Sequence, residues 1–103
     1  MNMICVYILR CKGDRLYTGV TTDLTRRFAE HKGTKRGAKF TRAFTPEAIA
    51  AVWETETQGD ALRLESRIKQ LTRKQKEQLI ETDDFSLCGD MIDKAGYRRV
   101  RRA

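Results

Sequence analysis

Proline, cysteine and histidine are scarce in this sequence, and the shortages exclude several classes of protein. One proline, three cysteines and one histidine occur among 103 residues. The cysteines are odd in number and lack the close pairing typical of zinc ligands, which argues against a zinc site or a disulfide framework. We interpret Cys5, Cys11 and Cys88 as reduced, mostly buried thiols, and therefore expect a cytoplasmic protein.

Long apolar runs and nucleotide-binding motifs are also missing. No apolar stretch approaches the roughly 18–20 residues that span a bilayer, so we expect no membrane partner. The N-terminal stretch lacks a positive segment and a small-residue cleavage site, so it does not resemble a secretory signal. A glycine-rich phosphate loop and the zinc-deaminase pattern are absent as well.

Positive charge, in contrast, is abundant. The chain has 21 Lys and Arg against 14 Asp and Glu, a net charge of +7 with histidine neutral. A small domain this basic most often binds an anion, and nucleic acid is the commonest large one. A solvated surface crowded with cations is the alternative that composition leaves open.

Hydrophobic periodicity and turn signals predict a small α+β domain. The expected strands are 3–11, 16–20 and 47–55. The expected helices are one that follows Thr22 and ends at about 32, one at 58–70 and one at 73–81. They predict a three-stranded antiparallel sheet, a hairpin plus a third strand, flanked by helices. Thr22 is the expected N-cap of the first helix and Gly33 its end.

The C-terminal fifth of the chain shows no clear period. We therefore predict one domain at 1–82 and an extension at 83–103, whose last residues, RRVRRA, are expected to form a mobile basic tail. For the oligomeric state we expect a monomer or a weak dimer.

Two tyrosines lie in the predicted hairpin, and the turn decides whether they meet. Strand side chains alternate between faces, so Tyr7 points away from Val6 and Ile8. A two-residue turn at Gly13 and Asp14 would place Tyr7 and Tyr17 on opposite faces, whereas a three-residue turn ending at Gly13 would set them directly opposite each other. An ordinary pair of half-buried strand aromatics is the alternative.

The first helix places one arginine and the only histidine beside its buried stripe. Leu24 and Phe28 define the stripe, and Arg27 and His31 border it, one turn apart. Arg26 and Glu30 are predicted on the solvent side. A charged group at the border of a core needs a partner or a function, or its aliphatic stem simply covers the core.

Glu65 interrupts the apolar side of the helix predicted at 58–70. It falls between Ile68 and Leu62 on the helical wheel, a position that suits a metal ligand or a buried ion-pair partner. An i, i+4 pair with Lys69 is the simpler alternative.

Together these residue types can supply the chemistry of phosphodiester hydrolysis. A carboxylate can hold a hard cation, an arginine can neutralise a phosphate in the transition state, and a tyrosine can accept a proton from water. A basic, glycine-containing segment follows the first helix and could hold the nucleic-acid backbone; its cations are Lys32, Lys35, Arg36, Lys39 and Arg42.

The spacing of these residues resembles the GIY-YIG nuclease family. The pattern Tyr-x₉-Tyr-x-Gly-x₇-Arg-x₃-His runs from Tyr7 to His31, and the LESRIK segment supplies Glu65. The chain looks most like the small bacterial UPF0213 members, which share a segment similar to GAKFTR.

The resemblance implies a divalent-metal-dependent endonuclease acting on DNA in preference to RNA, selective for DNA structure rather than sequence. It implies Tyr17 as the general base, Tyr7 as the residue that orients water or phosphate, and Arg27 as the group stabilising the transition state. Glu65 would be the sole protein ligand of one Mg²⁺ or Mn²⁺ ion, with His31 near the nucleophile. The alternatives are a DNA- or RNA-binding module that cleaves weakly or not at all, and a processing factor for structured RNA.

Overall fold

The computed structural model describes residues 3–33 and 44–101, which form one mixed α+β unit. Its strands are β1 (Ile4–Cys11), β2 (Arg15–Thr21), β3 (Pro46–Thr55) and β4 (Arg98–Arg99). Its helices are α1 (Leu24–Gly33), α2 (Gln58–Gln70) and α3 (Arg73–Thr82). Two short 3₁₀ helices, Phe85–Cys88 and Lys94–Gly96, follow α3. The predicted strands and helices of the described ranges are therefore confirmed in order and type.

The β1–β2 hairpin closes through a three-residue turn. Cys11 pairs with Arg15, and both Gly13 and Asp14 in the turn have positive φ angles, 78° and 57°. Glycine and aspartate tolerate this left-handed backbone better than most residues, which is why the turn forms here. The odd turn length is therefore confirmed, although the turn ends at Asp14 and not at Gly13 as the three-residue alternative had it.

Among residues 3–33 and 44–101 the sheet has four antiparallel strands in the order β2-β1-β3-β4, so the prediction of three strands was one short. Trp53 pairs with Arg99, and the Val100 N–H donates to the Val52 carbonyl at 2.8 Å. The expectation of a mobile basic tail is wrong for its first four residues. Arg99 binds the Asp83 carboxylate at 2.6 Å and lies 5.4 Å from the Trp53 ring, which fixes the segment on the sheet.

The two faces of the sheet carry separate hydrophobic clusters. Val6, Ile8 and Trp53 pack on one face beneath α2, α3 and the segment after α3. The buried residues that these elements add are Ala61, Leu64, Ile68, Leu79, Phe85, Cys88 and Ile92. Tyr7, Leu9 and Cys11 belong to the opposite face, which α1 covers through Leu24. The alternation expected of Tyr7 against Val6 and Ile8 is thus confirmed.

The helix starts follow local capping chemistry. The Thr57 hydroxyl accepts from the Asp60 N–H at 3.1 Å, and Thr72 forms a capping box with Gln75. At α1 the expected cap is wrong by one residue. Asp23 rather than Thr22 is the cap, since its carboxylate accepts from the Arg26 N–H at 3.1 Å.

Burial of the thiols agrees with their interpretation as core residues. Cys11 and Cys88 are buried, Cys5 is half-buried, and burial raises the pKa of the Cys11 and Cys88 thiols. Within the described ranges, no helix is long and apolar enough to cross a membrane.

Candidate active site

Both hairpin tyrosines lie on the face of the sheet that α1 covers. Tyr7 is opposite Gly19 and Tyr17 is opposite Leu9, so the two rings are diagonal neighbours with centroids 6.5 Å apart. The direct pairing that a turn ending at Gly13 would give does not occur, because the turn ends at Asp14 and Cys11 pairs with Arg15. The shared face, on which the chemistry depends, is confirmed.

Gly19 lets the Tyr7 ring lie flat across β2. A Cβ added to Gly19 would lie 2.4 Å from the Tyr7 hydroxyl oxygen and 2.6 Å from Cζ, distances that no side chain can occupy. The ring therefore fills the space that any other residue would need. This contact places the Tyr7 hydroxyl close to the backbone of β2.

His31 completes a group of three rings. Its Nε2 lies 2.9 Å from the Tyr7 hydroxyl oxygen, and its ring centroid is 6.0 Å from Tyr7 and 5.1 Å from Tyr17. Tyr7 is 1% and His31 2% exposed, whereas Tyr17 is half-buried. Of the three groups, Tyr17 is therefore the most accessible to solvent.

Burial keeps the Tyr7–His31 pair neutral. The pKa of Tyr7 is raised to about 12, mainly by burial and then by Tyr17, while the nearby Arg27 opposes the shift. The pKa of His31 is lowered, first by burial and then by Arg27. With both groups neutral at pH 7, the tyrosine hydroxyl can donate its hydrogen bond to an unprotonated Nε2.

Arg27 lies beside this pair and is held by a carboxylate that the sequence placed elsewhere. Its Nη1 is 3.1 Å from Glu30 Oε1, and Glu30 also lies 3.6 Å from Arg26 Nε. The prediction that Glu30 faces solvent is wrong, since its side chain is only 17% exposed. The half-buried guanidinium of Arg27 draws the carboxylate inward, which helical periodicity alone does not indicate.

Glu65 reaches the same neighbourhood from α2. Its side chain is 19% exposed, and its charge contributes to the raised pKa of Tyr7, after burial and Tyr17. The expected contact with Lys69 is present, with Nζ 3.5 Å from Oε2. Residues 3–33 and 44–101 contain no cluster of three or more histidines, cysteines or carboxylates suited to a metal. A cation here would thus be bound by Glu65 together with water and substrate oxygens.

The five predicted site residues, Tyr7, Tyr17, Arg27, His31 and Glu65, therefore influence one another through direct contacts or charge. The basic segment is covered only at its start. Lys32 is exposed, with Nζ 5.5 Å from the centroid of the Phe28 ring, and Lys35, Arg36, Lys39 and Arg42 lie outside the described residues.

Two residues of the candidate site were not predicted from the sequence. Glu30 was missed because a carboxylate beside two arginines on a helix is ordinarily a surface feature. Phe44 packs against the cluster that contains Tyr7, and its ring lies 4.5 Å below the Arg15 guanidinium. No periodic pattern surrounds Phe44, so only its aromatic character could have indicated a packed position.

Comparison with known proteins agrees with this geometry. The GIY-YIG catalytic domain profile matches residues 3–78. A UPF0213 protein of Cronobacter sakazakii is 48% identical over 75 residues, covering 73% of this chain and 78% of the relative. A UPF0213 protein of Halalkalibacterium halodurans is 45% identical over 75 residues, covering 73% and 79%.

A solved structure gives the same result in three dimensions. The solution NMR structure of a UPF0213 protein from Bacillus halodurans has a TM-score of 0.51 and 42% identity, covering 77% of this chain and 83% of that one. The profile match indicates endonuclease-type activity with nucleic acid as substrate. Since the profile spans every one of the converging side chains, and relatives share nearly half of the aligned residues, the chain belongs to the GIY-YIG catalytic domain family, among its UPF0213 proteins.

Proposed function

We propose that the protein is a divalent-metal-dependent endonuclease that hydrolyses DNA phosphodiester bonds and selects DNA by structure rather than by sequence. The observation that carries the proposal is the buried hydrogen bond between Tyr7 and His31, with Tyr17 and Arg27 beside it on one face of the sheet. Burying two polar groups costs folding energy that their mutual hydrogen bond offsets only in part, so stability alone does not account for the pair.

Arg27 supplies the positive charge for the phosphate. Its planar guanidinium can donate two hydrogen bonds to the non-bridging oxygens, on which negative charge grows as water attacks. Glu30 fixes the guanidinium from one side at 3.1 Å, which reduces the reorganisation needed when substrate binds.

Tyr17 is the proposed proton acceptor and Tyr7 the positioning group. Tyr7, with a pKa of about 12, stays protonated at neutral pH and can only donate from its hydroxyl. Tyr17 is half-buried and therefore reachable by a water molecule. In the step we propose, Tyr17 reacts as the phenolate, having given its own proton to solvent: its Oη takes one proton from the attacking water while the water oxygen forms the new bond to phosphorus. The bond to the leaving oxygen then breaks.

Glu65 is the residue suited to hold Mg²⁺ or Mn²⁺. One half-buried carboxylate, completed by water and phosphate oxygens, matches the way Mg²⁺ is usually bound next to phosphates. Such an ion, when bound, stabilises negative charge on the leaving oxygen. Lys69, 3.5 Å from the carboxylate, can move aside because its own side chain is half-exposed to solvent.

One observation favours a binding module as the second candidate. The Glu65–Lys69 ion pair occupies the carboxylate with an internal cation, and the sole proposed metal ligand would have to release it. A protein that never releases it would bind nucleic acid through its basic surface and produce no metal-dependent cleavage.

The test compares Glu65→Gln and Arg27→Ala with Glu56→Gln, a matched control that alters an exposed carboxylate outside the site. Flap, branched and linear DNA are incubated with Mg²⁺ or with chelator. We expect both site variants to lose cleavage by roughly 100-fold or more while retaining DNA binding, and the control to cleave normally.

Equal cleavage by all three variants would disprove the site assignment. DNA binding by the unchanged protein with no Mg²⁺-dependent product would favour the binding module. Tighter binding to RNA than to DNA of the same shape would redirect the proposal to structured RNA.

A further inference from the structure

A second basic surface lies away from the segment that follows α1. It combines the β1–β2 turn with the start of α3, and we name it the turn–helix surface: Lys12, Arg15, Arg73, Lys74 and Lys76. Between the turn and the helix is an open cleft of about 260 Å³, lined by Gly13, Asp14, Arg15, Leu16, Arg73 and Lys76.

A network of ion pairs fixes the turn against the helix. Arg73 donates to the Asp14 carbonyl, and its Nη2 lies 3.0 Å from the Asp14 carboxylate and 2.9 Å from Glu77. Glu77 in turn accepts from Arg10 Nη1 at 2.9 Å, and these arginines, Arg10 first, lower its pKa to about 2. The walls of the cleft are therefore held in place before any ligand arrives.

This network uses both nearby carboxylates and leaves a surplus of cations. Asp14 and Glu77 are engaged by Arg73 and Arg10. Within the part of the chain that the structure describes, the remaining cations of the surface form no ion pair; these are Lys12, Arg15, Lys74 and Lys76. The surface thus has net positive charge available to an outside anion.

The C-terminal arginines differ in this respect. Arg98 pairs with Glu54, and Arg99 and Arg101 both pair with Asp83. Their charges are already offset by carboxylates on the sheet and after α3. The number of basic residues alone would indicate the C-terminal segment as the anion-binding surface. Because its arginines are already paired with carboxylates, the turn–helix surface is the better candidate.

Arg15 connects the turn–helix surface to the candidate active site. Arg15 and Tyr17 are alternate residues of β2 and therefore share a face, about 6.6 Å apart along the strand. The Arg15 guanidinium rests 4.5 Å from the centroid of Phe44, which packs against the same cluster as Tyr17. One strand of duplex DNA carries a phosphate about every 3.4 Å along the helix axis. A strand running from Tyr17 past Arg15 would therefore place a phosphate about two nucleotides further on beside Arg15.

We propose that the turn–helix surface binds the backbone phosphates of the DNA strand a few nucleotides from the phosphate at the active site. The inference rests on the proposed function, because it takes DNA as the substrate. Arg15 and Lys76 provide the contacts, and Arg73 positions them by joining the turn to α3. Such contacts set the register of the strand and carry no base specificity.

The experiment measures DNA affinity by fluorescence anisotropy in chelator, so that cleavage does not intervene. The full-length Arg15→Ala/Lys76→Ala variant is compared with Lys94→Ala/Arg98→Ala, a control of equal net charge altered at exposed positions of the C-terminal segment. Arg73 is left unchanged so that the turn stays attached. Far-UV circular dichroism and melting temperature confirm that each variant is folded.

We expect the slope of log affinity against log salt to fall by about 1.8 in the first variant, since each phosphate contact contributes about 0.9 on duplex DNA. Its affinity at low salt should fall by roughly tenfold or more. The control should bind like the unchanged protein.

The outcomes separate this inference from the proposed function. If the unchanged protein binds and cleaves DNA while both double variants keep its salt slope, the turn–helix surface is not an interface and the nuclease proposal stands. If the unchanged protein binds no DNA, both proposals fail. Methylphosphonate substitution at single positions gives a second measure, because a neutral phosphate within a few nucleotides of the cut should weaken the unchanged protein but not the Arg15→Ala/Lys76→Ala variant.

Discussion

Adding one methyl group at Gly19 should disrupt the candidate active site from beneath. The new Cβ of Gly19→Ala would lie 2.4 Å from the Tyr7 hydroxyl oxygen and 2.6 Å from Cζ. The Tyr7 ring is buried and rigid, so it must shift as a whole rather than flex at its tip. A shift of about 1 Å would be needed to restore ordinary contact, enough to break the 2.9 Å hydrogen bond to His31.

The magnitude follows from the cost of overpacking. Extra methyl groups forced into a packed core typically cost about 1–3 kcal/mol, which corresponds to several degrees of melting temperature in a domain of this size. A misplacement of about 1 Å in catalytic geometry can cost about 100-fold in rate. We therefore expect Gly19→Ala to lose most DNA cleavage while remaining folded.

Gly59→Ala is the matched control. No atom lies within 4 Å of a Cβ added at Gly59, which is exposed on α2. Alanine is preferred to glycine in helices by up to about 1 kcal/mol, so this variant should be neutral or slightly more stable, with normal cleavage. Both variants are measured by urea unfolding and by cleavage of a flap substrate.

A double-variant cycle isolates the contact. In a Tyr7→Ala background the ring is gone, and Gly19→Ala should then cost almost nothing in unfolding free energy. If Gly19→Ala is as active and as stable as the unchanged protein, the placement of the Tyr7 ring across Gly19 is wrong. If its cost persists without the ring, backbone effects rather than the Tyr7 contact are responsible.

Three further predictions concern titration and stability. Tyr7 should ionise near pH 12 by ultraviolet difference absorbance. Because its pKa is raised on folding, stability should fall as the pH rises from about 10 to 12. Tyr7→Phe should reduce this loss, and the remainder comes from Tyr97, whose pKa burial also raises. The pKa of Glu77 is depressed to about 2, so its contribution is present above about pH 4.5 and is lost as the pH falls towards 2; Glu77→Gln should flatten acid unfolding in this window. Asp83→Asn should destabilise by about 2 kcal/mol, because Asp83 holds the poorly exposed Arg99, whereas Asp90→Asn at an exposed position should be neutral in thermal unfolding.

Local chemistry was sufficient to predict most elements of the fold. The strand composition of β1 and β3 and the glycine-containing turn each act within a few residues, and each was confirmed. The fourth strand could not be predicted in this way. Arg98 and Arg99 have no β pattern of their own, and they form a strand because the edge of β3 offers hydrogen bonds and Asp83 offers a counter-charge.

The candidate site, like the fold, was predictable from the sequence only in part. Motif spacing identified the residues that converge, whereas the way they converge depends on the hairpin register and on burial. Composition could not decide between two turn lengths, because Gly13 and Asp14 suit either. Glu30 was predicted to face solvent because a helical wheel gives only the angular position of a side chain. It does not include the attraction of the half-buried Arg27 guanidinium.

Burial also separates the two tyrosines in a way that motif spacing does not. A residue that accepts a proton from water must be reachable by water. Tyr7 is not, since it is 1% exposed, and its pKa of about 12 keeps its hydroxyl protonated at neutral pH. Its hydroxyl is better suited to hold His31 in one orientation. The proposal that Tyr17 accepts the proton, which resemblance alone first suggested, thereby gains independent physical support: of the two tyrosines on this face, Tyr17 is half-buried and Tyr7 fully buried.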